Sequence, residues 1–368
     1  MSIRKIIFLT ILFLSVSLGN ASANGNPSLK KSPVQSGQKT RQIFKYKAVK
    51  NPAAIAVNSK DEIFIAGGKK NSYEIAVFNI YGKRLKTFIY GAVKHNGVYA
   101  VKNGNGKVYF YNNNGIVKPW AIFIGKKGNL WVTNEGGKKG FISKISPEGK
   151  VLLKITNNID FPYSIAFTGS GDILAADYGN GFDGYISEYN SKGIFLRKIT
   201  KGIENPYSVI TGNNGNIYAA NYNKGDIVCL SKTGKLLWSS YKDISYPYSI
   251  LSGKTGNIWV INDGPVQGSI IKYTAGGRVI KYITFGISYP YGAAADKAGN
   301  IFVANFNNDT VSKFNEKGEF TGFAGNIRKP IGIAADEKGD VFVLNDDGYF
   351  TKITGNGGRL KSDNPVKK

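Results

Sequence analysis

Histidine is almost missing from this chain of 368 residues: His95 stands alone. A zinc centre or an acid–base site built from several histidines is therefore excluded by count. Cysteine is as scarce, so no intramolecular disulfide can form, and Cys229, set in the apolar phrase DIVCL, reads as a small buried hydrophobe. No phosphate-cradling P-loop is present. Acidic residues number 24 against 49 Lys and Arg, a formal net charge of +25, which speaks to partners and solubility and not to fold. No apolar run reaches the ~20 residues needed to cross a bilayer.

The apolar run that does occur, residues 6–18, follows Met-Ser-Ile-Arg-Lys and precedes small residues at Ala21 and Ala23. It reads as the core of a secretory signal peptide, residues 1–23, cleaved after Ala23, and predicts a periplasmic or secreted protein. Residues 24–40 are rich in Asn, Ser, Pro and Lys without apolar periodicity and read as a flexible leader; residues 361–368 form a basic tail. An exported basic protein meets anionic glycans, envelope phosphate, lipid headgroups and extracellular nucleic acid. Many of its lysines, however, stand in turn phrases such as SKTG, DKAG and NEKG, where their ordinary role is solvation.

What is abundant is repetition. Pro119, Pro162, Pro206, Pro247, Pro290 and Pro330 fall 43, 44, 41, 43 and 40 residues apart, and each opens a similar phrase, as in PYSVITGNNGNIYAAN and PYGAAADKAGNIFVAN. A glycine follows nine residues after each (Gly128, Gly171, Gly215, Gly256, Gly299, Gly339), and an Asn or Asp six residues later: Asn134, Asp177, Asn221, Asn262, Asn305, Asn345. A third strand and another turn glycine (Gly193, Gly234, Gly276, Gly318) precede a fourth strand. Four strands in a period of roughly 40–45 residues are one propeller blade, a sheet that cannot bury its faces alone. The expected fold is all-β, a single β-propeller over residues 41–360.

Pro52 opens a further repeat with Asp61 in the turn-glycine position. Gly97, Gly106 and Asn112 repeat the phase, but Pro119 arrives too soon for four strands, so this stretch is a half-repeat or an inserted hairpin. Counting full repeats from Pro52 gives seven four-stranded blades, with six or eight as the alternatives. The last repeat stops after its third strand, while residues 41–49 (RQIFKYKAV) precede the first proline. A ring needs its end segments to pair, since open sheet edges expose unpaired donors and acceptors. The N-terminal strand within 41–49 is therefore expected to complete the final blade.

The phrases NPYSVITGNNGNIYAANYNKGDIVCLSKTGKL and YPYGAAADKAGNIFVANFNNDTVSKFNEKGEF resemble NHL repeats, and PWAIFIGKKGNLWVTNEGGKKGFISKISPEGKV is similar to the repeat of the streptogramin (virginiamycin B) lyases. The resemblance covers about residues 42–360 and implies a propeller; activity does not follow, because such folds host unrelated functions. Streptogramin lyases and peptidyl-hydroxyglycine lyases both rely on histidines, which this chain lacks beyond His95. Gluconolactonase-like propellers hold a divalent ion by carboxylate and amide oxygens, a set that calcium accepts. The weak candidates for such a site are Asp177, Asp263 and Asp346. The structural alternative is that these short polar side chains bind loop backbone at the end of each second strand.

Strand order puts the link into each first strand and the turn after each second strand on one face of the ring. The first carries Tyr163, Tyr207, Tyr248 and Tyr291; the second carries Tyr178, Tyr222 and Phe306 beside residues such as Asn221 and Asn305. Together they form the candidate ligand-binding face, since tyrosine offers an apolar ring with a polar tip. The competing reading is that the Pro-Tyr pairs only pack blades together. The function expected is an exported, non-enzymatic binding or scaffold protein, monomeric and without a cofactor, that presents this face to a glycan, another polyanion or a protein. A calcium-type hydrolase or lyase and a single-stranded nucleic-acid binder are the alternatives; export argues against the latter.

Overall fold

A computed structural model describes residues 43–354 except 70–71, 91–98, 104–107, 112–114, 137–138, 182 and 265–266, with backbone alone at 43, 99–103, 108–111 and 126. The expected signal peptide, leader and basic tail, His95, and the Gly97, Gly106 and Asn112 phase lie outside the described residues. Among those described, no helix is long and apolar enough to cross a membrane.

The chain forms seven antiparallel sheets, which are the seven expected blades. Blade 1 opens at Pro52, blade 2 at Pro119, and blades 3 to 7 at Pro162, Pro206, Pro247, Pro290 and Pro330. Proline has no N–H to give to a ladder and is tolerated as the first residue of a strand, which is where it stands seven times. Each turn glycine from Gly128 to Gly339 has a φ between 72° and 91°, a left-handed backbone that glycine adopts without a steric penalty. Asp61 takes the same role in blade 1 at φ 60°. In the later turn of blade 5 the left-handed residue is Gly277 and not the expected Gly276.

The ring closes as expected. Ile43–Lys47 pairs with Tyr349–Ile353, from Ile43 opposite Ile353 to Lys47 opposite Tyr349. Tyr46 packs on Phe350 at 5.1 Å between centroids and Phe350 on Phe78 of blade 1 at 5.0 Å, so the closing strand binds blade 7 and blade 7 grips blade 1. The irregular stretch before Pro119 is a hairpin, Tyr99–Asn103 with Val108–Tyr111. It extends the outer edge of blade 1, where Phe88 faces Val101, and makes that sheet six-stranded. The other six blades have four strands.

The core is a set of seven wedges, one between each pair of neighbouring blades. Strand alternation explains this. In Ile173–Asp177 the side chains of Ile173 and Ala175 enter the wedge shared with blade 2, while Leu174 and Ala176 enter the wedge shared with blade 4. A strand buried on both faces reads as a continuous apolar run, and the second strands do. The first strands of successive blades neighbour one another around the whole ring and make its inner wall.

Part of the basic charge is built into the blades. Lys144, Lys272, Lys313 and Lys352 stand directly opposite Trp131, Trp259, Phe302 and Phe342 across the middle strand pair. Each ammonium lies 4.8–5.7 Å from its ring centroid, within cation–π range. Burial lowers the pKa of Lys272, and Lys352 also pairs with Asp340 at 2.8 Å. These cations serve the fold, whereas the turn lysines are the solvated ones.

Candidate functional site: an aromatic arc at one end of the ring

The local cause of the site is a β-bulge. In every blade the opening proline pairs with the residue fifteen positions on, and the register then slips by one, so the residue after the proline is the extra one. A bulge of this kind bends the strand and re-aims a side chain. The residue before the proline is also unusual: Asn51, Lys118, Asn205, Tyr289 and Lys329 all have φ between 41° and 50°. A left-handed non-glycine residue costs about 1–3 kcal/mol and persists only where its surroundings hold it.

The Asn/Asp series supplies that hold. Asn134, Asp177, Asn221, Asn262, Asn305 and Asn345 are at most 2% exposed. Each reaches back to the link entering its own blade: Asn134 accepts from Val117 N (3.0 Å), Asp177 from Asp160 N (2.6 Å) and Phe161 N (2.9 Å), Asn221 from Glu204 N (3.1 Å). Asn262 accepts from Ser245 N and Tyr246 N, Asn305 from Ser288 N, and the Asn345 amide donates to Arg328 O. Blade 1 has Gly67 here; a Cβ would come within 2.7 Å of Asn51 O, so the backbone itself fills the space. Of the face residues expected from the sequence, Asn221 and Asn305 are thus latches, with their remaining amide hydrogens on Gly202 O and Asp226 in one case and Gly286 O, Thr310 and Ser312 in the other.

The aromatic residues come together. After the prolines, Trp120, Tyr163, Tyr207, Tyr248 and Tyr291 of blades 2 to 6 follow one another with centroid separations of 4.2, 4.3, 5.3 and 5.0 Å. A second tier from the turns packs on them: Tyr178 on Tyr163 (5.2 Å), Tyr222 on Tyr207 (4.4 Å) and Phe306 on Tyr291 (5.3 Å). Tyr163 and Tyr207 are 5% exposed, while Tyr178, Tyr222, Tyr248, Tyr291, Phe306 and Trp120 are half-buried. The structure therefore joins all seven expected aromatics into one arc in which two rings are foundation and five reach solvent. It adds Trp120, which stands after Pro119 in the phase of the series, and Tyr246, 43% exposed and 5.3 Å from Tyr222. Tyr246 precedes its proline, a place that is aromatic also in blades 3 and 6 as Phe161 and Tyr289, a periodicity that could have marked it.

Burial, together with Tyr163, Tyr248 and Tyr222, pushes the Tyr207 hydroxyl far above the ordinary tyrosine value. Tyr222 is raised by burial first and by the neighbouring Asp263 charge next. Both remain protonated at any ordinary pH. Asn223 donates to the Tyr178 hydroxyl at 2.6 Å and ties the second tier to Asn205. Asp177 is raised as well, burial outweighing its three backbone N–H donors, Phe161, Asp160 and Gly179.

The weak metal candidates stand in blades 3, 5 and 7. Both Asp177 oxygens are taken by backbone N–H groups. Asp263 is half-buried with its carboxyl pushed up to about 6 by burial, and Asp346 is exposed beside Arg328 and Lys329. Calcium needs six to eight oxygens, and no three His, Cys, Asp or Glu residues gather into such a group among the described residues.

No family model and no curated protein matches the chain. Solved structures do. A streptogramin B lyase shares 16% identity at a TM-score of 0.66, covering 86% of this chain and 98% of its own. Virginiamycin B lyase from Staphylococcus aureus gives 16% and 0.67 over 86% and 99%, and a catalytically inactive histidine-to-alanine variant of it has been solved with quinupristin. Hydrazine synthase from Kuenenia stuttgartiensis gives 14% and 0.64 over 88% and 99%. The shared feature is the propeller. The chain has the streptogramin-lyase-like seven-bladed fold that the repeat phrases imply, and at these identities the likeness extends to the fold alone.

Proposed function

We propose that the protein is an exported, non-enzymatic propeller that binds an extended glycan across the aromatic arc of blades 2 to 6. The observation that carries this reading is the contrast within one backbone position. All seven blades have the bulge after the proline, yet blades 1 and 7 fill it with Ala53 and Ile331. The bulge belongs to the fold; the ring does not. Five consecutive aromatics at a position that accepts alanine point to a use beyond packing. Half-exposed tyrosine rings give flat apolar surface for the faces of sugar rings, and their hydroxyls give hydrogen bonds to sugar hydroxyls.

Charge supports a mixed rather than purely anionic ligand. On this end of the ring Glu135, Asp160, Asp226 and Asp347 are paired with Lys118, Lys139, Lys224 and Lys45 at 2.7–2.9 Å, so the face is not a basic patch despite the +25 of the chain. The lyase whose histidine-to-alanine variant is inactive has this fold; with His95 as the only histidine here, the binding reading is preferred to a lyase. The test is a set of soluble polysaccharides titrated against the full chain. Binding that falls tenfold or more in Tyr222→Leu/Tyr248→Leu, with the melting temperature held, supports the reading; no binding to any of them refutes it.

A further inference from the structure

Asp263 occupies the position, sixteen residues after its proline, that Tyr178, Tyr222 and Phe306 hold in blades 3, 4 and 6. It therefore interrupts the second tier of the arc with a carboxylate. Four other acids on this end of the ring, Glu135, Asp160, Asp226 and Asp347, are claimed by lysines, and Asp346, at the equivalent position of blade 7, lies beside Arg328 and Lys329. The Asp263 carboxylate has no ion pair and no hydrogen bond among the described residues, in a chain where cations outnumber acids two to one. The neighbours it engages are tyrosines, Tyr246 through the backbone and Tyr222 through its charge. Its charge is the leading electrostatic influence at the Tyr222 hydroxyl, followed by Tyr291, Tyr246 and Tyr178. Its own backbone N–H is bonded to Tyr246 O at 3.0 Å, and the half-buried rings of Tyr222 and Tyr248 lie 6.3 Å apart, with Tyr291 5.0 Å from Tyr248.

A half-buried carboxylate without a partner is costly unless something compensates it. Burial acts on this one with no cation to oppose it, holding its carboxyl at about 6, and it is ionised at neutral pH. Ring faces attract cations through their quadrupoles, best of all weakly hydrated ammonium groups. Carboxylate and rings thus ask for the same guest.

We propose that Asp263 is the anionic contact of an ammonium subsite, in which a ligand's primary or quaternary ammonium sits against Asp263 between the rings of Tyr222, Tyr248 and Tyr291. This rests on the aromatic arc being a binding face, and it narrows the ligand to one bearing a cationic nitrogen, such as an amino sugar in place of a neutral one.

The direct test is a titration of the full chain with choline and with its neutral isostere 3,3-dimethyl-1-butanol, followed by tyrosine and tryptophan fluorescence. At about 0.15 M salt, charges more than about 8 Å away are largely screened, so the overall positive charge does not hide the local site. Choline is expected to bind at least tenfold more tightly than the isostere, and Asp263→Asn to abolish the difference. Equal binding of the two molecules by the unaltered chain overturns the subsite without recourse to any variant, and so does a choline preference that survives Asp263→Asn. A neutral oligosaccharide serves as the separate reading of the arc. If it binds while choline shows no preference, the subsite alone falls; if choline is preferred while no glycan binds, the glycan reading alone falls.

Discussion

Blades 2 to 6 and the pair formed by blades 7 and 1 share one backbone plan and differ in what it carries. The first group places Trp120, Tyr163, Tyr207, Tyr248 and Tyr291 on the bulge and stacks them into an arc. The second group has Ile331 and Ala53 there and concentrates its devices at the seam: the closing strand Ile43–Lys47, the Tyr46, Phe350 and Phe78 stack, and the hairpin on the edge of blade 1. The closing devices and the aromatic arc are thus divided around the ring. The bulge, present in all seven blades, and the latch, present in all but blade 1, belong to stability, while the side chain on the bulge is free to vary.

The largest effect expected is at the seam. Removing residues 41–49 exposes the edge of Tyr349–Ile353 and takes the buried Ala48 and Val49 out of the core, and should lower the melting temperature by more than about 10 °C, several kcal/mol in a chain of this size. An unchanged melt in circular dichroism would mean that the ring does not depend on this strand. Next comes the latch. Asn305→Ala strips the acceptor from Ser288 N at a fully buried side chain, while Gly286 O keeps its bond from Ser312, and should cost about 1–3 kcal/mol in urea unfolding, the cost of one buried group left unsatisfied. A loss below about 1 kcal/mol would show that the link holds itself.

The closure and the blade count were legible because strand period, proline position and edge pairing are local or one-dimensional facts. The hairpin was ambiguous for a physical reason: Gly97, Gly106 and Asn112 imitate the phase of a blade without the length to build one. The aromatic face was legible as an end of the ring, through the pairing of each first strand's start with its second strand's end. Which rings would be foundation and which surface was not, because burial of Tyr163 and Tyr207 depends on the neighbouring blades' rings. The backbone-binding role of the Asn/Asp series was legible from its once-per-blade repetition, and Asn221 and Asn305 follow it; spacing did not reveal that Asp263 would be left without an ion pair where Asp226 has Lys224.

Smaller effects sharpen the division between the two arcs. Ile331→Tyr and Ala53→Tyr extend the aromatic series into the seam blades and should change stability by less than about 1 kcal/mol; a severe loss would show that the bulge is not neutral to its side chain. Asp263→Asn should reveal its burial through pH. A carboxyl whose pKa is raised from 3.8 to about 6 on folding holds its proton more tightly in the native state, so its ionisation destabilises the fold as pH rises through that window. The variant should therefore be more stable than the parent at pH 8, by on the order of 1 kcal/mol after allowance for solvent screening, and show no gain near pH 3. A gain independent of pH would place the effect elsewhere.

The central claim is that the arc of blades 2 to 6 is a recognition surface and not merely packing. It is tested most directly by polysaccharide titration of the full chain beside Tyr222→Leu/Tyr248→Leu, with thermal melts recorded on the same samples. The account predicts glycan binding by the parent, a loss of tenfold or more in the variant, and melting temperatures within a few degrees of each other. A variant that unfolds early, or one that binds as the parent does, would contradict it and return the rings to the core.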